Sequence, residues 1–263
     1  MTRLGVFVSS QPDAREYAER FREAATAAGM SVCPIGPECD AVDLVVAVGG
    51  DGTVLQAAHH AVRLSVPIVG INLGTIGFLA EAEPDELEAT VSALARGDYR
   101  VEERNTIEVT LPDGSRALGI NDIVVEKIDS QRLVVLDVLV DGEPFLRHRA
   151  DGLVIATSTG STAYSFSAGG PLLDPRVGAI LVTPVAPHSL FGRSLVLPSD
   201  SSVTIAVAGD RPVRVSADGR QVGAVDPGGR AVVGPGPTHA RFLRMRDEGF
   251  PGRITRKFHL EQQ

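Results

Sequence analysis

The chain has 263 residues, 43% hydrophobic and 22% charged, with a formal net charge of −8. This composition fits a globular protein with room for one large or two ordinary domains. It excludes a nucleic-acid surface spread over the whole molecule, and no apolar run approaches the roughly 20 residues that span a bilayer. Met1–Val6 leads straight into a strand without a signal-peptide pattern. Cys33 and Cys39 are close enough in sequence to pair, but they demand no disulfide framework and fall short of a zinc site. The compartment these features suggest is reducing and cytoplasmic.

Residues 1 to about 100 alternate strand and helix patterns. Leu4–Val8 reads as a strand. Asp13–Ala28 reads as a helix with Ala14, Tyr17, Ala18, Phe21, Ala24, Ala25 and Ala28 on one face, stopped by Gly29. Met30–Pro34 and Leu44–Val48 are further strands, followed by a helix from near Thr53, a strand at Val66–Ile71 and a helix at Pro84–Arg96 ended by Gly97. The alternation predicts an α/β domain with a Rossmann-like parallel sheet, whose ligands bind at the carboxyl ends of the strands. From about 101 to 240 the runs are short and β-branched: Thr106–Leu111, Gly119–Glu126, Leu133–Val140, Gly152–Ala156, Ala179–Thr183, Ser202–Ala208, Val213–Ala217 and Ala231–Val233. Pro-Asp-Gly and Ala-Asp-Gly turns separate them, which predicts an all-β sandwich. The glycine- and proline-rich Val225–Pro237 reads as a loop between strands.

At one strand end the apolar run Val45–Val48 stops at Gly49-Gly50-Asp51-Gly52-Thr53. A buried strand feeding a glycine turn and a helix N-terminus is a phosphate site: the glycines let backbone N–H groups approach an anion. Thr53 is suited to cap the helix. Asp51 is the odd member. A carboxylate among phosphate-cradling amides is unfavourable unless it has chemical work, such as accepting a proton from an attacking hydroxyl. A second segment, Asp151–Pro171, runs a strand into a cluster of small hydroxyl residues, then Tyr164 and Ala168-Gly169-Gly170-Pro171. Hydroxyls that donate and accept suit a base edge or a carboxamide, and Tyr164 offers a stacking face.

Together these segments make the chain resemble the NAD kinase (ATP–NAD kinase) family. The likeness extends through Asn72–Leu79, Asn121-Asp122, Thr183-Pro184, Pro187–Leu190 and Ala217-Asp218-Gly219. The resemblance implies an α/β domain over 1–100, a β-sandwich NAD-binding domain over 101–240, and a tail, 241–263, that packs back on the first. It implies transfer of the ATP γ-phosphate to the adenosine-ribose 2′-hydroxyl of NAD, with Asp51 as the base. Gly49, Gly50, Gly52 and Thr53 then lie at the phosphates, and Phe78 forms a hydrophobic wall. Asn121 and Asp122 stand for the family's Asn-Glu pair that holds the adenosine, with a shorter acid here. Arg132 and Arg149 fall near the bound nucleotide, and Asp151 accepts from the nicotinamide carboxamide. Thr159, Thr162, Ala163, Tyr164, Ser165, Phe166 and Ser167 line adenine and nicotinamide, and Ala186 and Gln221 add contacts. Mg²⁺ is expected through phosphate oxygens, with no metal-ligand set from the chain. The partners are small-molecule nucleotides, with neither nucleic acid nor membrane.

Two departures stand out: Ser158 replaces a usual Pro, which would loosen that loop, and Gln56 replaces a frequent basic residue. Arg147, His148 and Arg149 offer a local positive patch, while Arg253, Arg256 and Lys257 read as an exposed face or an oligomer contact. Leu133–Val140 as a free edge, with Phe242, Phe250, Ile254 and Phe258 of the tail needing cover, points to a homodimer or homotetramer. The first motif also occurs in diacylglycerol-type lipid kinases, one rival reading. A non-catalytic dinucleotide-binding regulator is the other, although a mere binder gains nothing from Asp51.

Overall fold

The computed structural model describes residues 1–36, 39, 41–74, 77–129, 131–189 and 191–260. The chain divides into two compact units: residues 1–103 with 240–263, and residues 104–239.

The first unit begins β1 (Arg3–Val8), α1 (Pro12–Ala27), β2 (Ser31–Pro34), β3 (Leu44–Val48), α2 (Asp51–Leu64), β4 (Ile68–Ile71). A 3₁₀ turn at Pro84–Glu86 then opens into α3 (Leu87–Arg96), and β5 (Arg100–Arg104) follows. β1 pairs in parallel with β2 and β3, and β3 with β4. Every residue of β3 is buried, which is why it reads as an unbroken apolar run rather than an alternating one. α1 buries Ala14, Tyr17, Phe21 and Ala25, and these pack with Leu4, Val6, Val46 and Val69 of the sheet. Cys33, on β2, is joined to Cys39 by a disulfide with Cα atoms 6.1 Å apart.

The second unit holds β6 (Ile107–Thr110), β7 (Arg116–Gly119), β8 (Asp122–Lys127), β9 (Val134–Val140), β10 (Glu143–Ala150) and β11 (Gly152–Thr157). After the short helix α4 (Tyr164–Ser167) come β12 (Ala179–Val185), β13 (Leu195–Pro198), β14 (Val203–Val207), β15 (Val213–Ala217), β16 (Arg220–Val225) and β17 (Arg230–Pro235). They form two antiparallel six-stranded sheets, ordered β10-β9-β14-β17-β6-β7 and β13-β12-β11-β8-β15-β16. Val109, Leu136, Ile205 and Val233 of one sheet and Ile123, Val125, Leu153 and Val215 of the other share one aliphatic core. Val225–Pro237, read as a loop, contains β17. β9 is no free edge, since it pairs with both β10 and β14.

The last segment, β18 (Ala240–Arg244) and α5 (Phe250–Phe258), belongs to the first unit. β18 pairs in parallel with β4, completing the order β2-β1-β3-β4-β18-β5. Phe242 and Phe250 are buried, so these two tail aromatics need no second copy of the chain to cover them. No helix among the described residues is long and apolar enough to cross a membrane.

Candidate active site

A cleft of about 480 Å³ opens in the first unit. It is lined by residues 9–11 after β1, 50–53 after β3, Leu73, Gly74 and Gly77 after β4, and Lys257 on α5. Those are carboxyl ends of parallel strands, where an open α/β sheet leaves its crevice. α1 and α2 both start at its wall, and a helix N-terminus presents first-turn amides that have no intrahelical partner. α2 starts at Asp51, two residues earlier than the sequence suggested, with Gly50 as its N-cap and no side-chain cap. Thr53 therefore lies inside the helix. Gly49 has φ +152°, and a Cβ there would press on the Thr53 side chain. Gln56 is exposed on α2 and is not a lining residue.

The Asp51 carboxylate is held on both oxygens. The Phe78 amide donates to Oδ2 (2.8 Å) and the Leu79 amide to Oδ1 (3.0 Å). A Cβ at Gly77 would overlap that carboxylate, so only glycine permits this approach. Each carboxylate oxygen keeps a further lone pair, and Asp51 is only half-buried. It can therefore accept one more hydrogen bond from the cleft. Thr75 and Ile76 of the same motif lie outside the described residues.

Charges distant in sequence fix this loop. The buried Glu81 accepts from Arg244 (2.6 Å) and from the Met245 and Arg246 amides (2.8 Å each). Glu83 accepts from Asn72 (3.0 Å) and from Arg256 (3.2 Å). Arg256 also reaches Glu248 (2.8 Å), and the Phe258 ring lies 6.0 Å from that of Phe78. Arg253 is buried. Arg253 and Arg256 are thus not an exposed face, and Lys257 lines the cleft.

In the second unit three motifs meet. Asp218 accepts from the amides of Ile120 (2.7 Å), Asn121 (2.8 Å) and Asp122 (3.0 Å). It sits at φ +47°, a left-handed conformation Asp tolerates better than most residues. The Thr157 amide donates to Asn121 O (2.9 Å), and its hydroxyl to Ile120 O (2.7 Å). A Cβ on Gly160 would overlap the Asn121 carbonyl. Asn121-Asp122, Thr157–Gly160 and Asp218 are therefore one mesh. In the sequence Asp218 stands only within the Ala217-Asp218-Gly219 motif, and its organising role has no local signal. Asp122 is buried, and burial together with the neighbouring Asp218 charge pushes its carboxyl up to about 7. The Asn121 Oδ1 atom is buried and lacks a partner.

The Ser158 loop is tied rather than loose: its hydroxyl donates to Val177 O (2.5 Å), and its carbonyl accepts from Ser161 (2.7 Å). Ser165 is buried against Thr183 (2.9 Å), while Tyr164 and Phe166 of α4 are exposed. Burial raises the Tyr164 hydroxyl above its usual value, helped by Glu126, Asp151 and Asp122. Thr159 is buried, Thr162 donates to its carbonyl (3.1 Å), and Ala163 and Ser167 flank the same turn. Asp151 pairs with Lys127 at 2.5 Å, a partner that no local pattern singles out.

The positive patch divides instead of gathering. β10 alternates its faces, so Arg147 pairs with Asp137 (2.6 Å) outside, while His148 is buried, its basicity lowered by that burial. Arg149 and Gln221 are exposed on β10 and β16, and Arg132 is exposed beside Lys127 and Arg211. Ala186, exposed after β12, holds φ +45°. Leu190 lies outside the described residues. Among the described residues no cluster of three metal-ligating side chains occurs. Among the described lining residues the side chains that could meet an ion are Asp51, Gln11 and a few hydroxyls, a donor set that suits Mg²⁺ already held by phosphate oxygens.

Comparison with known proteins places this geometry. The family model for the ATP-NAD kinase N-terminal domain matches residues 36–99, and that for the ATP-NAD kinase C-terminal domain matches 120–245. The NAD kinase of Nocardia farcinica is 43% identical over 83% of this chain and 69% of its own length. That of Rhodococcus erythropolis is 39% identical over 98% of this chain and 84% of its own. Among solved structures, yeast NADH kinase complexed with NADH superposes with TM-score 0.88 at 26% identity, covering 100% of this chain and 89% of that one. An NAD kinase from Archaeoglobus fulgidus in complex with ATP gives 0.80 at 27% identity, covering 98% and 96%.

Proposed function

Because this chain belongs to the ATP-NAD kinase family, we propose that its NAD phosphorylation runs through Asp51. The reaction joins the adenosine-ribose 2′-oxygen of NAD to the γ-phosphorus of ATP. The bond from that phosphorus to the β-bridging oxygen breaks, ADP leaves, and the hydroxyl proton passes to a base. The observation that carries this reading is the Asp51 carboxylate at the head of α2, aimed into a cleft of glycine amides and held by the Phe78 and Leu79 amides. The two amide bonds fix its aim. It orients the 2′-hydroxyl and takes its proton late, as P–O bond formation acidifies it. General-base help of this kind is typically worth about 10²–10⁴-fold, and positioning carries most of the remainder. Mg²⁺ supplies charge neutralisation when it arrives on ATP.

On this reading the Asn121-Asp122 pair receives the adenosine, Asp151 the carboxamide, and residues 159–167 the rings, with Phe78, Arg132, Arg149, Ala186 and Gln221 as further contacts. A homo-oligomer is part of the proposal. Its support is Phe145 on the edge strand β10, which meets Phe191 edge to face with ring centroids 5.9 Å apart, both exposed. A cytoplasmic site of action fits substrates that are central metabolites, and a reducing compartment would open Cys33–Cys39. Incubation with Mg-ATP and NAD⁺, read by an NADP-dependent dehydrogenase, tests the reaction. NADP⁺ formation is the expected result, and ATP hydrolysis without it would overturn the proposal.

A further inference from the structure

The Asp51 cleft must hold a polyphosphate, yet its wall of glycine amides, hydroxyls and one carboxylate carries little positive charge. Two helix N-termini contribute roughly half a charge each, and Asp51 cancels about one unit. Among the described lining residues, Lys257 alone brings a full positive charge. It occupies the last turn of α5 between two anchored neighbours. Arg256 is bound to Glu83 (3.2 Å) and Glu248 (2.8 Å), and Phe258 lies against Phe78 at 6.0 Å. Phe78 in turn donates its amide to Asp51 (2.8 Å). The backbone of Lys257 is therefore fixed to the loop that aims the carboxylate, while its half-buried side chain faces the space where phosphates would sit.

We propose that Lys257 is a further catalytic residue whose ammonium group contacts the polyphosphate chain of the donor. As the γ-phosphorus leaves the bridging oxygen, negative charge grows on the departing diphosphate, and a fixed cation there lowers the barrier. An ammonium donates from three hydrogens and adapts to the moving oxygens as a point charge. The inference rests on the assignment of this cleft to phosphoryl transfer.

The test uses the full chain with Lys257→Met and Lys257→Arg. Inorganic tripolyphosphate is titrated by calorimetry, and initial rates are measured against ATP and NAD⁺. Lys257→Met should weaken tripolyphosphate about tenfold or more and lower kcat/KM for ATP by about 10–100-fold, the range of one lost charge-assisted contact. KM for NAD⁺ and Tm should stay nearly unchanged, and Lys257→Arg should recover much of the loss. Unaltered tripolyphosphate binding in Lys257→Met would overturn the proposal. So would a loss confined to NAD⁺, which would place Lys257 at the dinucleotide pyrophosphate, or an equal loss for both substrates with a lowered Tm. If the unmodified protein made no NADP⁺, the kinase reading would fail, and the tripolyphosphate titration would still decide whether Lys257 serves the cleft.

Discussion

Both units of the molecule use a carboxylate to clasp consecutive backbone amides, and they put the device to different ends. Asp51 takes the amides of Phe78 and Leu79 in a cleft, where its remaining lone pairs meet whatever enters. Asp218 takes the amides of Ile120, Asn121 and Asp122 and shapes the segment that carries the Asn121-Asp122 pair. The bonding is the same. What separates the proposed base from the organising carboxylate is the cleft that Asp51 lines.

The comparison breaks most visibly at Gly77. Gly77→Ala would push a Cβ into the Asp51 carboxylate and should lower kcat by about 10²–10³-fold, most of what a general base contributes. Steady-state rates check this, with calorimetry of NAD⁺ binding to show that the second unit is intact. Asp218→Ala should act in the opposite way. Leaving three amides without an acceptor costs about 2–4 kcal/mol of stability, read as a lower urea midpoint, while tripolyphosphate binding in the Asp51 cleft persists.

Asp122 sharpens the same contrast through pH. Its folded-state carboxyl titrates near 7, above an unfolded value near 3.8. The folded protein then binds the extra proton between those values, so Asp122 makes stability fall as pH rises from about 4 to 7 and leaves it level above. Asp122→Asn should remove that slope, gaining on the order of 4 kcal/mol at pH 8 relative to pH 4. Urea unfolding at both pH values decides it, and an unchanged slope would show that Asp122 is ionised throughout. The smallest effect belongs to Asp151, which is half-exposed and paired with Lys127. Asp151→Ala should raise KM for NAD⁺ about tenfold and leave KM for ATP alone. Equal changes in both would make the pair structural.

The parts that were legible share a cause. β3 and the turn after it could be read because a strand buried on both faces is a continuous apolar run, and glycines must follow where backbone approaches closely. The Asp151–Pro171 segment was legible because small hydroxyl residues are seldom clustered at the end of a buried strand. What escaped depends on distant partners. β18 inserts beside β4 from more than 170 residues away, and no local periodicity announces that. Arg253 and Arg256 read as solvated because Glu81, Glu83 and Glu248, which share their surroundings, are scattered along the chain. Arg147, His148 and Arg149 looked like a patch until β10 alternated them.

The most direct measurement is a rapid-quench single turnover with γ-labelled ATP and NAD⁺, using the unmodified protein and Asp51→Asn. The label should appear as a 2′-phosphomonoester on the adenosine ribose of NADP⁺. The variant should bind ATP yet transfer about 10²–10⁴-fold more slowly. Transfer by Asp51→Asn at close to the normal rate, or label released only as inorganic phosphate, would contradict the account.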